Sequence, residues 1–180
     1  DNTTVLPTPL NVALGKRAFF SSPADAINAD GSSAALYDPT YMMGDGDLSG
    51  NPLVKIFSDT CDPTKASYTE IDLRALYSVT SLRRWLEGSI SGRYCAQRAL
   101  LSTSGAFAGE ETQVFACSDY SDCPEELTEG FAVAVSPAVT ARYVRFYAGR
   151  NESDAAARFV EVQVMATAVP VTGTWERSAS

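Results

Sequence analysis

The sequence contains no histidine among its 180 residues. That absence removes the commonest general base, the commonest transition-metal ligand and the usual pH switch, and it excludes serine–histidine and cysteine–histidine catalysis. Positive charge is scarce as well. Fourteen basic residues stand against 22 acidic ones, a formal net charge of -8, which argues against nucleic acid or anionic lipid as a partner through bulk electrostatics. No stretch approaches the roughly 20 apolar residues of a membrane span, and the first residues are too polar for a signal peptide. There is no internal repeat and no low-complexity tract. The four cysteines, Cys61, Cys95, Cys117 and Cys123, lack the paired C-x-x-C spacing of a zinc site, so disulfides are the expected use, with three pairings open.

What is present begins with an apolar share of 45%, enough to bury a sizeable core in a single domain. Two sequons, at Asn2 and Asn151, agree with an oxidising secretory route and mark both asparagines as candidate glycosylation sites. Together with the cysteines they predict an extracellular or cell-surface protein, either mature or excised as a domain from a larger multidomain chain. Residues 1–10, with Pro7 and Pro9 among threonines, read as an extended leader, and residues 167–180 as a tail or linker in which Trp175 either docks on the body or meets a partner. The domain itself spans 11–166.

Within it, NVALGKRAFF predicts a first strand, followed by a long surface loop that ends in the acidic turn Tyr41-Met42-Met43-Gly44-Asp45-Gly46-Asp47-Leu48. Glycines there permit positive φ and inward-pointing carbonyls, and aspartates supply the hard anionic oxygens that calcium prefers. From Ser67 the period becomes that of strands: Tyr68, Ile71 and Leu73, then Tyr77 to Leu82 after a brief turn. RALLSTSG and TQVFAC are further β-prone runs. FAVAVS alternates with Phe131, Val133 and Val135 on one face. ARYVRFYAGR places Val144 and Phe146 inward, and RFVEVQVMA places Val160, Val162 and Val164 inward with Glu161 and Gln163 outward. Closely spaced strands without intervening helices predict an all-β fold, an antiparallel sandwich or barrel.

The order NVALGKRA, GDGDL, YTEIDLRALYSVTSL, ARYVRFYAGRN and FVEVQV resembles the discoidin-like domains, also called coagulation factor V/VIII type C domains, over about residues 11–166. The resemblance implies a galactose-binding-like jelly-roll β-sandwich. It also implies a structural calcium ion stapling the loop after the first strand to the last strand. Carried over, its side-chain ligands are Asp45, Glu161 and Ser58, with Ser49 as the rival hydroxyl, and its carbonyl ligands come from Met42, Asp47 and Val160. DGDLSG also matches the first half of an EF-hand loop, but Ile56 falls where the bidentate carboxylate belongs and no flanking amphipathic helices are visible.

Members of the family bind glycans, phospholipid surfaces or proteins through loops at one end of the sandwich. The fucose-binding branch uses a histidine, two arginines and adjacent cysteines. Here Cys61 falls near its histidine, and Glu87 and Arg93 fall where it has arginines, so at best one of three anchors is kept. What remains on those loops is Asp59, Trp85, Glu87, Arg93 and Tyr94, one flat ring with a charged fork and acceptors, as a sugar needs. The lipid reading has only Trp85 and Leu86 as apolar spikes, and the acidic charge opposes it. Among the cysteines, Cys117 and Cys123 enclose only SDYSD and close most easily, leaving Cys61 with Cys95, a pair that in the family's layout joins two loops near the calcium end. Glu110 with Glu111, and Glu125 with Glu126, invite a glycosidase reading, but both pairs lie in polar loop sequence where solvated charge is usual. The expectation is therefore a non-catalytic, carbohydrate-binding module. Its rival is a structural protein-interaction domain of a larger extracellular assembly, with no sugar site.

Overall fold

The computed structural model describes residues 8–22, 24–28, 32–34, 38–49, 53–87, 93–125 and 129–169. Asn2, Trp175 and Glu126 lie outside them. In chain order the elements are β1 (Leu10–Asn11), β2 (Ala18–Phe20), β3 (Ala24–Ile27), α1 (Pro39–Met42), β4 (Leu53–Phe57), β5 (Ser67–Leu86), β6 (Arg98–Ser102), β7 (Thr112–Ala116), β8 (Phe131–Ala148) and β9 (Ala156–Ala168). The loop expected between the first strand and the acidic turn therefore carries a strand and a short helix of its own. Asp38 caps that helix, its Oδ1 accepting from the Thr40 amide at 2.9 Å, and Pro39 supplies the preset first turn.

β5 organises the fold. Its first part, Ser67 to Asp72, pairs with Ala148 to Tyr143 of β8, and its second part, Tyr77 to Arg84, pairs with Ala141 to Phe131. The second part also pairs with β9 on its other side, from Tyr77↔Ala168 to Leu86↔Phe159. The predicted turn after Leu73 is instead an irregularity within one continuous strand, in which Arg74 takes φ 72. Asp72 locks it: its carboxylate accepts Arg142 Nε and Nη2 at 2.8 and 2.9 Å and the Arg74 amide at 2.8 Å. The Arg142 hydrogen bonds hold the Asp72 carboxyl below the usual carboxylate range.

All strand pairs are antiparallel, along the path β3-β4-β9-β5-β8-β6-β7 with β1 on β9 and β2 on β5. Because β5 and β8 both change partners midway, the path divides into two layers. One is β2, the start of β5, the end of β8, β6 and β7; the other is β3, β4, β9, the end of β5 and the start of β8. This is an antiparallel β-sandwich. Between the layers lie Ile71, Leu73, Leu82, Val144 and Phe146, the inward set that the alternation predicts for β5 and β8, together with Phe159 and Val164 of β9.

A smaller cluster, Ile27, Leu53, Trp85 and Val160, packs on the outer side of the second layer. It exists because β9 slips register between Trp85↔Glu161 and Leu86↔Phe159. The slip turns Val160 away from the main core and leaves Phe159 and Val162 inside, so the predicted inward run Val160, Val162, Val164 is broken at its first member. Trp85 lies against Gly130, where φ is +75° and a Cβ would stand 2.5 Å from the indole.

Phe159 is wholly buried whereas Phe57 is 55% exposed. Phe159→Ala should cost about 3–5 kcal/mol in urea unfolding, and Phe57→Ala should stay within about 0.5 kcal/mol of the parent.

Candidate functional site

The ligand set expected from the sequence does not come together. Trp85 and Glu87 are buried in the second layer's outer packing, and Tyr94 is fully inside the core with its hydroxyl donating to the Glu87 carbonyl at 3.3 Å. Glu87 pairs with Arg158 at 3.6 Å. Trp85, Arg93 and Tyr94 thus form no open platform. Their aromatic bodies are held by the apolar free energy that also builds the core. Arg93 has a positioning part: Nη1 donates to the Tyr120 carbonyl at 3.1 Å, Nη2 pairs with Glu125, and its amide donates to Glu152 Oε2 at 3.1 Å.

Of that set, Asp59 opens on a hollow. The hollow has a volume of about 590 Å³ and is lined by Asp59, Thr60, Cys61, Tyr120, Arg150 and Glu152. Three chain segments meet there: the one leaving β4, the disulfide loop between β7 and β8, and the one leaving β8. Gly149 is the crossing point, since a Cβ there would stand 2.5 Å from the Thr60 carbonyl oxygen and 2.9 Å from Cys95 Sγ. Its amide donates to the Cys95 carbonyl at 2.8 Å, and the Arg150 amide donates to the Thr60 carbonyl at 3.2 Å. The Cys61–Cys95 disulfide closes the same junction, and Cys117–Cys123 closes the loop that carries Tyr120. Both bridges follow the pairing read from local closure. Neither the Asp59 carboxylate nor the Arg150 guanidinium makes a side-chain hydrogen bond or ion pair to a described residue. An acceptor pair and a donor fork therefore face one polar hollow with their hydrogen-bonding capacity unspent.

The acidic turn is docked elsewhere, against β9, with Met42 and Met43 in the main core. Gly44 sits where a Cβ would stand 2.6 Å from the Ala13 carbonyl oxygen, its own carbonyl accepts the Gly15 amide, and the Met43 carbonyl accepts the Val162 amide at 3.1 Å. Asp45 and Asp47 each fold back on the chain, Oδ1 accepting the Asp47 and Ser49 amides at 2.8 Å. Beneath the turn is Glu161, predicted to face outward and in fact wholly buried, because the turn covers the face to which the strand alternation assigns it. Its Oε2 accepts the Gly46 amide at 3.3 Å and its Oε1 has no hydrogen-bond partner. Burial above all, and then the charges of Asp45 and Asp47, push the Glu161 carboxyl up to about 8 against the opposing Gly46 hydrogen bond.

A buried carboxylate with an orphan oxygen beside a two-aspartate turn fits a hard cation. Met42, at the end of α1, and Val160, one residue before Glu161, are both buried. Ser58 does not join this group. It continues β4 opposite Ala155, its amide donating to the Ala155 carbonyl, six residues along β9 from Glu161, or roughly 20 Å at the rise of an extended strand. Among the described residues no three His, Cys, Asp or Glu side chains cluster as a metal set, so backbone carbonyls must complete any coordination shell.

The carboxylate pairs have structural occupations. Glu110 accepts from the Ser102 and Ser104 hydroxyls and from the Thr103 and Phe107 amides, and the Ser102 hydrogen bond leads in holding it below its ordinary range. Glu125 is bound to Arg93. Asn151 is fully buried with its Oδ1 accepting the Ser153 amide at 2.9 Å, so a glycan on Asn151 is incompatible with this packing.

Residues of the hollow that the sequence reading missed are Thr60, Tyr120, Arg150 and Glu152. Arg150 follows directly on the alternation of β8 and Tyr120 sits inside the shortest cysteine loop, yet nothing in one dimension brings those loops together.

No family model and no curated protein matches the sequence. Solved structures do. A fucolectin from the serum of Morone saxatilis (striped bass) aligns at a TM-score of 0.65 and 18% identity over 93% of this chain and 52% of its own. Chitosan-binding module 1 of a chitosanase/glucanase from Paenibacillus sp. IK-5 aligns at 0.60 and 16%, over 86% of this chain and 98% of its own. A CBM32 module of a family 31 glycoside hydrolase from Clostridium perfringens aligns at 0.58 and 15%, over 85% and 96%. The chain has the discoidin-like, galactose-binding-type fold of these structures.

Glu161 binds its proton more tightly in the folded protein than in the unfolded chain, whose carboxyl titrates at 4.5. Stability contributed by the neutral form is present at low pH and lost as pH rises through about 8. In chelator, urea midpoints should therefore fall across that window, and Glu161→Gln should flatten the fall.

Proposed function

We propose that the protein is a non-catalytic carbohydrate-recognition module that takes its glycan in the hollow between Asp59 and Arg150 and carries a structural calcium ion under the acidic turn. The observation that carries the reading is the pair of unspent groups at the hollow: a carboxylate and a guanidinium, with Thr60 and the Tyr120 ring beside them. Vicinal sugar hydroxyls donate and accept at once, and mixed acceptor and donor sets on rigid loops suit them. The fold shared with a fucolectin and with chitosan-binding and CBM32 modules supports the same class of ligand. Two disulfides support an extracellular setting.

The second reading, a protein-interaction domain without a sugar site, draws on the burial of Trp85 and Tyr94. Binding to a glycan array separates the two. Each lost charged hydrogen bond is worth about 1.5–3 kcal/mol, so Arg150→Ala and Asp59→Ala should each weaken binding roughly tenfold or more. Absence of binding to every glycan would favour the second reading.

For calcium, Asp45 and Glu161 supply the side-chain oxygens, with carbonyls from Met42, Asp47 and Val160 as the family resemblance implies; Ser58 is not part of the set. Bound there, the ion supplies the positive charge that a buried, ionised Glu161 lacks. Chelation should lower the thermal midpoint, and Asp45→Ala should remove that response. An unchanged midpoint in the parent protein would refute the site.

A further inference from the structure

The hollow beside Asp59 is not isolated. A second one, of about 420 Å³, is lined by Asp25, Ile27, Ser33, Lys55 and Arg158. Both open along β4. In that strand and its continuation Val54, Ile56 and Ser58 are buried, while Lys55, Phe57 and Asp59 alternate outward. Lys55 belongs to one hollow and Asp59 to the other, and Phe57 stands between them with more than half of its surface in solvent. At about 3.3 Å per residue, Lys55 and Asp59 are about 13 Å apart.

The surroundings hold this row in place. The Phe57 carbonyl accepts the Ser22 hydroxyl at 3.0 Å and the Ser67 hydroxyl, and its cross-strand neighbour on β9 is the small Ala156. Asp25, Lys55 and Arg158 are in direct register across three strands. Asp154 pairs with both Lys55, at 3.3 Å, and Arg158. A single exposed phenylalanine would be ordinary. Here the ring divides two polar hollows on one rigid strand.

From this we infer that the two hollows and Phe57 form one strip that binds an extended, neutral oligosaccharide chain, with the Phe57 ring stacked on the apolar face of an interior sugar. The inference rests on the carbohydrate reading above and deepens it, because a terminal monosaccharide would occupy the Asp59 hollow alone. Charge along the strip alternates in sign: Asp25 and Asp154 face Lys55 and Arg158, and Asp59 and Glu152 face Arg150. Such a strip offers hydroxyl groups donors and acceptors and gives neither a polyanion nor a polycation a uniform field. Aromatic rings flanked by polar groups are the usual means of holding an amphipathic sugar ring.

The test uses the intact chain and neutral cello-, xylo-, manno- and N-acetylchito-oligosaccharides, each as monomer, trimer and hexamer, with affinities read by calorimetry. In the series that binds, the hexamer should bind at least tenfold more tightly than the monomer. Phe57→Ala and Lys55→Ala should each remove most of that gain and leave the monomer affinity unchanged, whereas Arg150→Ala should weaken every length. Equal affinity at all lengths, or full hexamer affinity in Phe57→Ala, would overturn the extended strip and leave the single-hollow reading intact. Failure of every series to bind would overturn the strip, and only together with a blank glycan array would it overturn the carbohydrate reading.

Discussion

The structure depends on one shared strand. β5 is paired with β8 along both of its halves and with β9 along its second half, so the two layers cannot move apart without breaking the hydrogen bonds of the strand common to both. Buried backbone amides and carbonyls must remain paired, and β5 satisfies them on both sides. Its mid-strand irregularity at Asp72 and Arg74 then sets where the second layer begins, and the Asp72–Arg142 pair ties that irregularity to β8. The loops at the ends inherit their positions from this frame.

Two of those loop systems carry opposite electrostatic situations. Around the Asp59 hollow the Asp59 carboxylate is exposed and the Arg150 guanidinium makes no hydrogen bond to a described residue, and the backbone junction at Gly149 and the disulfide at Cys61–Cys95 hold both in place. Preorganised but unspent donors and acceptors lose little ordering entropy when a ligand arrives. Under the acidic turn a carboxylate is closed off from water with two further aspartates nearby. A buried charge without a counter-charge is destabilising by several kcal/mol, so this end needs either a proton or a cation. The first system suits reversible recognition, and the second suits a permanent fastening.

Much of the frame was legible in the sequence, because period-two alternation reports directly on a half-buried strand. Val144 and Phe146, or Val133 and Val135, could be assigned to a face from their spacing alone. Continuity was not legible. Leu73 to Leu76 looks like a turn between two strands, whereas both flanks pair with β8 and Arg142 binds Asp72 across the irregularity. The family resemblance makes Glu161 a ligand candidate, while its period in the strand assigns it to solvent. Alternation tells which side of a strand a residue faces, and not what covers that side. Trp85 and Tyr94 depart from the sequence expectation for a related reason. An aromatic residue near a loop is equally suited to a sugar platform and to plugging the end of a sandwich, and here Gly130 and Glu87 supply the packing that decides it. Arg150 and Tyr120 stayed hidden because their meeting is produced by topology over a separation of thirty residues.

The central proposal is glycan recognition at the junction where the segments leaving β4 and β8 cross. The most direct measurement is an amide ¹H–¹⁵N titration of the intact chain with whichever oligosaccharide it binds. The account predicts that the largest shifts fall on Thr60, Tyr120, Arg150 and Glu152, while Gly46 and Val162 beneath the acidic turn stay still. Shifts centred on Trp85, Gly130 and the acidic turn, with Thr60 and Arg150 unmoved, would contradict it.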